Sequence, residues 1–410
     1  MLNKHKLYTI IVSALIIWFL SGCNKDSYSE DQRNEDYELN KQNSLRLFTP
    51  VMYNDPDKKH EELFKIVHIS DAHLSPWSSN NHFRNPRNLK EAVRFANESA
   101  AKINAIVMTG DLIGNNTSTT HNEAIGYLND FVSTLYQSNS IPTFVSTGNH
   151  DVNMLNSNYP VYAISKSEFY RMVTSKIKHS IYSDDTENYY YTDIANPMGG
   201  VIRFIALDVT DQDTMIYSAQ HNAILSQKQI NWLCHTALKK DMTNLHSVII
   251  LIHHPLPPVE DENLSKSIHS DFLHNWNMVP EIIETYRTKQ TLIKKYLNKI
   301  DESDSISVNV SFSNSPGEFV CYLGGHLHTY LNYEVKSSDD STLPNQIMIL
   351  ANNMSPSDKS PTSHIERRET GLRNNTFNLY AIDTKNKIIY VTFFGATAFY
   401  YPQVLSLHYL

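Results

Sequence analysis

An α/β fold is what this sequence predicts, and two observations carry the prediction. Short apolar runs rich in β-branched and aromatic residues alternate with segments whose apolar residues recur at helical spacing. The runs end, one after another, in small clusters of Asp, Asn, His and Gly. With 410 residues and 41% hydrophobic content, the chain has enough apolar surface for a sizeable core.

The first residues read as a targeting segment and not as fold. Lys4 and Lys6 precede an apolar run from Leu7 to Phe19, followed by Leu20, Ser21, Gly22 and Cys23. That run is in the signal-peptide range and short of the ~20 residues that span a bilayer. "LSGC" resembles the lipobox of bacterial lipoproteins, which implies cleavage before Cys23, lipidation of Cys23, and a lipid-anchored position in the cell envelope, outside the cytoplasm. An uncleaved anchor and an ordinary secretory signal are the alternatives. Residues 1–23 are therefore expected to be a signal peptide with its lipobox cysteine. Residues 24–59, polar and charged with no apolar period, are expected to be a flexible tether.

The folded domain is expected over residues 60–400. Its candidate strands are "FKIVHIS" (64–70), "AIVM" (105–108), "TFVS" (143–146), "VIRFIAL" (201–207), "SVIILI" (247–252) and "FVCYL" (319–323). Leu89, Val93, Ala96 and Ala100 form one helical stripe, and Ile125, Leu128, Val132 and Leu135 another. Ser226 with Gln229 has the spacing of a capping box ahead of "INWLCHTAL". After residue 330, "QIMIL", "NLYAID" and "KIIYVTFF" are strands that complete the sheets. Two stretches, near 154–200 and 259–315, fit the alternation poorly and read as insertions, which beside a site often serve as lids or substrate walls. Cys234 and Cys321 sit in apolar contexts and read as buried thiols, not as a disulfide.

The net charge of -8 and the lack of a long Lys/Arg cluster argue against a nucleic-acid polymer as partner. Arg84, Arg87 and Arg94 could meet a phosphate or form a solvated face.

The residues at the strand ends are more informative. Asp71-Ala72-His73 comes after the first strand, Thr109-Gly110-Asp111 after the second, and Thr147-Gly148-Asn149-His150-Asp151 after the third. His253-His254-Pro255 comes after the fifth, and Gly324-Gly325-His326-Leu327-His328 after the sixth. An Asp after a strand usually caps a turn, and "GD" and "GN" are turn dipeptides. Repetition at successive strand ends is the signal, because ligands of open α/β sheets bind outside those ends. Mixed carboxylate, amide and imidazole donors suit Mn, Fe, Zn or Ni, and are too rich in nitrogen for calcium or magnesium alone. Asp71, His73, Asp111, Asn149, His253, His326 and His328 are too many for one catalytic ion with open positions and suit a pair.

The order D-x-H, G-D, G-N-H-D, H-x-P, G-H-x-H resembles the calcineurin-like metallophosphoesterase superfamily, from about Phe64 to Tyr330. The resemblance implies a four-layer sandwich of two mixed β-sheets flanked by α-helices. It implies two divalent transition-metal ions, one on Asp71, His73 and His328, the other on Asn149, His253 and His326, with Asp111 bridging. It implies in-line attack on phosphorus by a water or hydroxide held between the metals. His150 would then donate a proton or stabilise charge, with Asp151 orienting it; a His150 that merely packs is the alternative. His253 matches the family pattern, and an extended backbone would turn His254 away. The same alternation would send His326 and His328 to one side and Leu327 to the other. Gly114 stands where the family's second motif often carries another Asp.

"RFIALDV" with Gln229, Trp232 and Leu233 further resembles the class III cyclic-nucleotide phosphodiesterase branch, and "ISDAHLSP" suits sphingomyelinase-like phosphodiesterases. Asp208 reads as a turn cap. The resulting expectation is a phosphodiesterase acting on a small-molecule or lipid-head-group phosphate ester. A non-catalytic surface binding protein on the same scaffold and a nuclease are the alternatives.

Overall fold

In the computed structural model, the structure describes residues 29–51, 62–75, 86–154, 161–211, 223–256, 277–297, 305–335, 346–352, 354 and 371–409. The expected signal peptide and Cys23 lie outside the described residues.

Two six-stranded sheets face each other. The first is built from β1 (Phe64–Ile69), β2 (Ala105–Thr109), β3 (Thr143–Ser146), β12 (Thr376–Asp383), β13 (Ile388–Gly395) and β14 (Leu405–His408). Its order is β14-β13-β12-β1-β2-β3. The second is built from β4 (Tyr190–Ala195), β5 (Val201–Ala206), β6 (His246–Leu251), β9 (Glu318–Gly324), β10 (Leu331–Glu334) and β11 (Ile347–Leu350). Its order is β10-β11-β9-β6-β5-β4. Both sheets are mixed: β1, β2 and β3 are parallel, as are β5, β6, β9 and β11, while β12, β13, β14, β10 and β4 pair antiparallel.

Period-two alternation divides the apolar side chains between layers. Phe64 and Ile66 face inward and meet Phe204, Ile249 and Val320 of the other sheet. Val67 and Ile69 face outward, under Leu89, Val93 and Leu128 of the helices α2 (Pro86–Ala96) and α3 (His121–Tyr136). The second sheet's outer face is covered by α5 (Gln227–Trp232), the π-helical turn Leu233–Ala237 and α6 (Met278–Arg287). Helix, sheet, sheet and helix give the four layers expected.

The tether is where the fold departs most from expectation. Residues Glu30–Phe48 form a helix, α1, closed at its start by a Ser29–Gln32 capping box. Its buried face is Arg33, Tyr37, Asn40, Ser44 and Phe48, spaced as a helical stripe but mostly polar. The polar members are satisfied across the interface: Arg33 pairs with Glu91 at 2.7 Å, Asn40 donates to Leu372 O at 3.1 Å, and Ser44 donates to Phe393 O at 2.9 Å. A hydropathy period cannot detect a stripe held by hydrogen bonds. The arginines of α2 serve the same joint, Arg94 pairing with Glu38 at 2.6 Å and Arg87 with Glu30 at 3.7 Å.

The domain also extends past residue 400, because β14 is paired to β13. The first insertion carries α4 (Lys166–Met172) and ends in β4, an integral edge strand. The described part of the second is α6 and the antiparallel hairpin β7 (Thr291–Tyr296) and β8 (Ile306–Ser311), whose buried side chains join the outer core. Ala100 lies beyond α2, which ends at Ala96. Cys234 and Cys321 are buried and free. Among the described residues, no helix is long and apolar enough to cross a membrane.

Candidate metal centre

The C-terminal ends of β1, β2, β3, β6 and β9 deliver all seven predicted donors to one edge of the sandwich. They do so on turns, because five of the seven have left-handed backbones: φ is 50° at Asp71, 45° at His73, 52° at Asp111, 71° at His326 and 55° at His328. Non-glycine residues rarely adopt this region. The extended 326–328 segment expected from alternation is therefore replaced by a curled one, with Leu327 buried in the outer core.

Main-chain bonds stitch these turns together. Asp71 N donates to Gly110 O at 3.2 Å, His73 N to Asp111 O at 3.0 Å, and Gly325 N to His253 O at 3.0 Å. The Asp71 carboxylate accepts His326 N at 3.0 Å. Glycines allow the approach: a Cβ on Gly148 would overlap Asp111 N and Oδ1, and one on Gly325 would overlap Ser70 Oγ and Asp71 Oδ2.

Two groups of donor atoms result. In the first, His73 Nε2 and His328 Nε2 are 2.8 Å apart and lie 3.8 and 3.5 Å from Asp71 Oδ1. In the second, Asn149 Oδ1 is 3.0 Å from His253 Nε2 and 3.1 Å from His326 Nδ1. Asp111 Oδ2 stands between them, 3.7 Å from His73 Nε2 and 3.3 Å from His253 Nε2. His253 Nδ1 donates to Thr109 O at 2.7 Å, so its Nε2 is the nitrogen presented to the site. The Thr109 carbonyl carries no sequence signal, being main chain.

Charge follows geometry. Burial raises the Asp71 pKa, but the hydrogen bond from His328 and the charges of His253 and His328 bring it down to about 2. Burial acts the same way on Asp111, where His253 and His150 win and hold it well below the usual carboxylate range. Burial lowers the His253 pKa and Asp111 more than reverses this, to about 9. Each imidazole–carboxylate contact is thus a place for a cation, whether proton or metal.

His254 is buried and its ring stacks on His326, centroids 4.2 Å apart, so it does not turn away from the site as an extended backbone would have required. Burial, then the neighbouring His326 and His253, push its pKa well down. Asp208 caps the turn at Thr210, accepting its N–H at 2.9 Å, and also accepts Thr147 Oγ1 at 2.5 Å. Gln229 does not close the capping box; its side chain bonds the Asp208 backbone instead, at 2.8 and 2.9 Å.

His150 stands at the same edge with its N–H on Asp111 Oδ1 at 2.9 Å and its Nε2 3.9 Å from Asp111 Oδ2. Its Nδ1 is held by Asn115 Oδ1 at 2.7 Å. Asn115 must present its oxygen there because its Nδ2 is spent on Asn153 Oδ1 at 3.1 Å. Asn115, one residue after the Gly114 that departs from the expected motif, thus orients His150. Asp151 does something else: Oδ1 accepts Leu112 N at 2.7 Å and Ile113 N at 3.4 Å, and Oδ2 accepts Gly148 N at 2.8 Å. Burial and the Asp111 charge raise its pKa to about 8, against the pull of these donors.

Residues 64–330 match the family of calcineurin-like phosphoesterases, more than half of the chain. The chain belongs to that family. Among solved structures it is similar to a dimetal phosphatase from Danio rerio, with 14% identity and TM-score 0.48 over 85% of this chain and 99% of that one. It is also similar to PhoD, with 11% identity and TM-score 0.42 over 85% and 72%. No curated protein sequence matches. A calcineurin-like phosphoesterase hydrolyses phosphate esters, and the donor set fits divalent metal ions. Asp71, His73, Asp111 and His328 offer ligand atoms within 4.8 Å of one another, as do His253, His254 and His326.

Proposed function

We propose that this phosphoesterase is a two-metal enzyme hydrolysing small-molecule or lipid-head-group phosphodiesters. The observation that carries the reading is Asp111 Oδ2, one oxygen shared between His73 Nε2 at 3.7 Å and His253 Nε2 at 3.3 Å. Asp71, His73 and His328 would hold one ion of Mn, Fe or Zn, and Asn149, His253 and His326 the other, with Asp111 common to both. Bound there, the ions would supply Lewis-acid polarisation of the phosphate and of a nucleophilic water.

The chain's own groups do the rest. His150, its Nδ1 committed to Asn115, presents Nε2 to a leaving oxygen as proton donor. Asp151 fixes the loops of Asp111 and Asn149 by their backbone N–H groups. The net charge of -8 disfavours a nucleic-acid polymer, and the diester preference follows the likeness of "RFIALDV" and "ISDAHLSP" to phosphodiesterase branches.

Cys23 would be the lipid-bearing residue and the cell envelope the location. Only residues 24–28 separate it from Ser29, the cap of α1, so the domain would sit close to the membrane. Labelling with a fatty-acid analogue that is lost in Cys23→Ser tests this; label retained in the variant refutes it.

The activity test is protein lacking residues 1–23, assayed for metal content and for turnover of an aryl phosphodiester. About two transition-metal ions per chain and turnover are expected. Full metal loading with no turnover of any mono- or diester would instead favour a binding protein.

A further inference from the structure

The stretch "HHP" brings one imidazole more than the proposed metal ligands use. His254 is 2% exposed, yet Asp111, Asn149, His253 and His326 make up the second donor group without it. Strand register explains why it is there at all. β6 and β9 run parallel with Leu251 opposite Leu323. Ile252 N on Leu323 O and Gly325 N on His253 O, both at 3.0 Å, carry that pairing past the strand ends. Continued three residues on, it sets His254 beside His326.

The two rings lie face to face, centroids 4.2 Å apart and planes 29° apart. His253 meets both edge-on, at 5.2 Å and 81° to His254 and at 5.2 Å and 80° to His326. An imidazole lone pair lies in the plane of its ring, so a ring binds an ion at its edge and not over its face. Rings stacked this nearly parallel point their edges side by side, and their planes do not meet within the ~2 Å of a metal–nitrogen bond. Closeness alone, 4.8 Å or less between one nitrogen of each of these three histidines, therefore does not make His254 a ligand. His254 Nδ1 is buried and has no hydrogen-bond partner among the described residues, so packing and not a bond at that atom holds the ring.

What His254 offers is a ring face. His253 is oriented by a hydrogen bond, its Nδ1 on Thr109 O at 2.7 Å. The main chain of His326 is fixed, with φ at 71° and its N–H on the Asp71 carboxylate at 3.0 Å, but these contacts act on the backbone and not on rotation of the ring. A stacked neighbour does act on it, because turning the His326 ring would give up the face-to-face contact with His254. We propose, resting on the two-metal reading of the site, that His254 is a positioning residue. Its ring packs the face of His326 so that Nδ1 of His326 stays toward Asn149 Oδ1, 3.1 Å away, in the second donor group.

Calorimetric titration of the metal-free full chain, held in detergent, with manganese(II) counts the ions bound and gives each affinity, and urea unfolding reports whether each variant is folded. His254→Phe keeps a flat ring and removes both nitrogens. His254→Asn removes the ring and keeps a nitrogen close to the place of Nδ1. His254→Asn should weaken binding of one of the two ions by about 10–100-fold, and His254→Phe should stay within a few-fold of the wild type. The reverse ranking would make His254 a ligand through nitrogen, and wild-type affinity in His254→Asn would leave the stack without a role; either overturns the proposal. If the bulkier Phe unfolds the chain, NMR of the wild type loaded with cobalt(II) decides. A strongly shifted, exchangeable imidazole N–H signal is expected from each of His73, His253, His326 and His328, and a further one from His254 overturns the proposal. A wild-type chain that takes up fewer than two ions overturns the two-metal reading together with the proposal; two ions with the wrong ranking overturn the proposal alone.

Discussion

Asp151→Ala separates two roles for one carboxylate. If Asp151 oriented His150, its loss would act on proton donation alone. The structure instead gives it three backbone donors: Leu112 N at 2.7 Å, Gly148 N at 2.8 Å and Ile113 N at a longer 3.4 Å. Leu112 follows Asp111 and Gly148 precedes Asn149, so the carboxylate ties together the loops of two donor groups. Deleting it leaves two well-formed, buried N–H groups without acceptors, at about 1–3 kcal/mol each. A water entering the vacated space would recover part of this, so a net loss of about 2–4 kcal/mol is expected. Displaced supports of this kind typically weaken metal affinity by roughly 10–100-fold. Urea unfolding and calorimetric metal titration measure the two effects. A variant of unchanged stability and metal affinity, but with rate loss confined to poor leaving groups, would refute the reasoning and restore Asp151 as the partner of His150.

Asn115→Ala should keep metal affinity within a few-fold and slow poor leaving groups by about 10–100-fold more than good ones, because His150 loses the acceptor that fixes Nδ1; equal losses across a leaving-group series would refute this. Gly325→Ala should cost roughly 1–3 kcal/mol in unfolding free energy and weaken the first metal group, since the new Cβ overlaps Ser70 Oγ and Asp71 Oδ2; an unchanged urea midpoint would contradict it. His68, buried between Tyr380 Oη at 2.8 Å and Thr109 Oγ1 at 2.9 Å, has its pKa lowered by burial to about 3. The unfolded chain takes up this proton below about 6.5 and the folded chain does not, so the contribution is complete above that pH and shrinks as pH falls. Between about pH 7 and pH 5 the loss is roughly 2 kcal/mol, and His68→Gln should remove that part of the slope; identical pH dependence in both proteins would refute it.

The donor residues were legible because each sits at the end of an apolar run, and an apolar run is what a sequence displays most plainly. Their supports were not. Thr109 acts through a carbonyl, and Asn115 acts from a position where the motif shows a departure. Helix α1 was missed for a related reason: its stripe of Arg33, Asn40 and Ser44 is polar, and its partners Glu91, Leu372 and Phe393 lie far along the chain. Periodicity reads one element at a time and cannot see satisfaction across elements. The same limit applied to His326 and His328, where alternation assumed an extended chain and the backbone turned left-handed instead.

That left-handed backbone explains why the motif needs its glycines and its carboxylates together. Each non-glycine residue held in the αL region costs of order 1 kcal/mol, and five of them are gathered within one loop cluster. Isolated turns would relax. Here they cannot, because the turns hold one another: Asp71 N on Gly110 O, His73 N on Asp111 O, Gly325 N on His253 O and His326 N on the Asp71 carboxylate. Relaxing Asp71, His73, Asp111 or His326 would break a bond to another loop, and Gly148 and Gly325 let those loops lie in contact. The strain is thus stored where Asp71, Asp111 and the imidazoles must point inward before any cation arrives, and the rigid strands behind them keep it there.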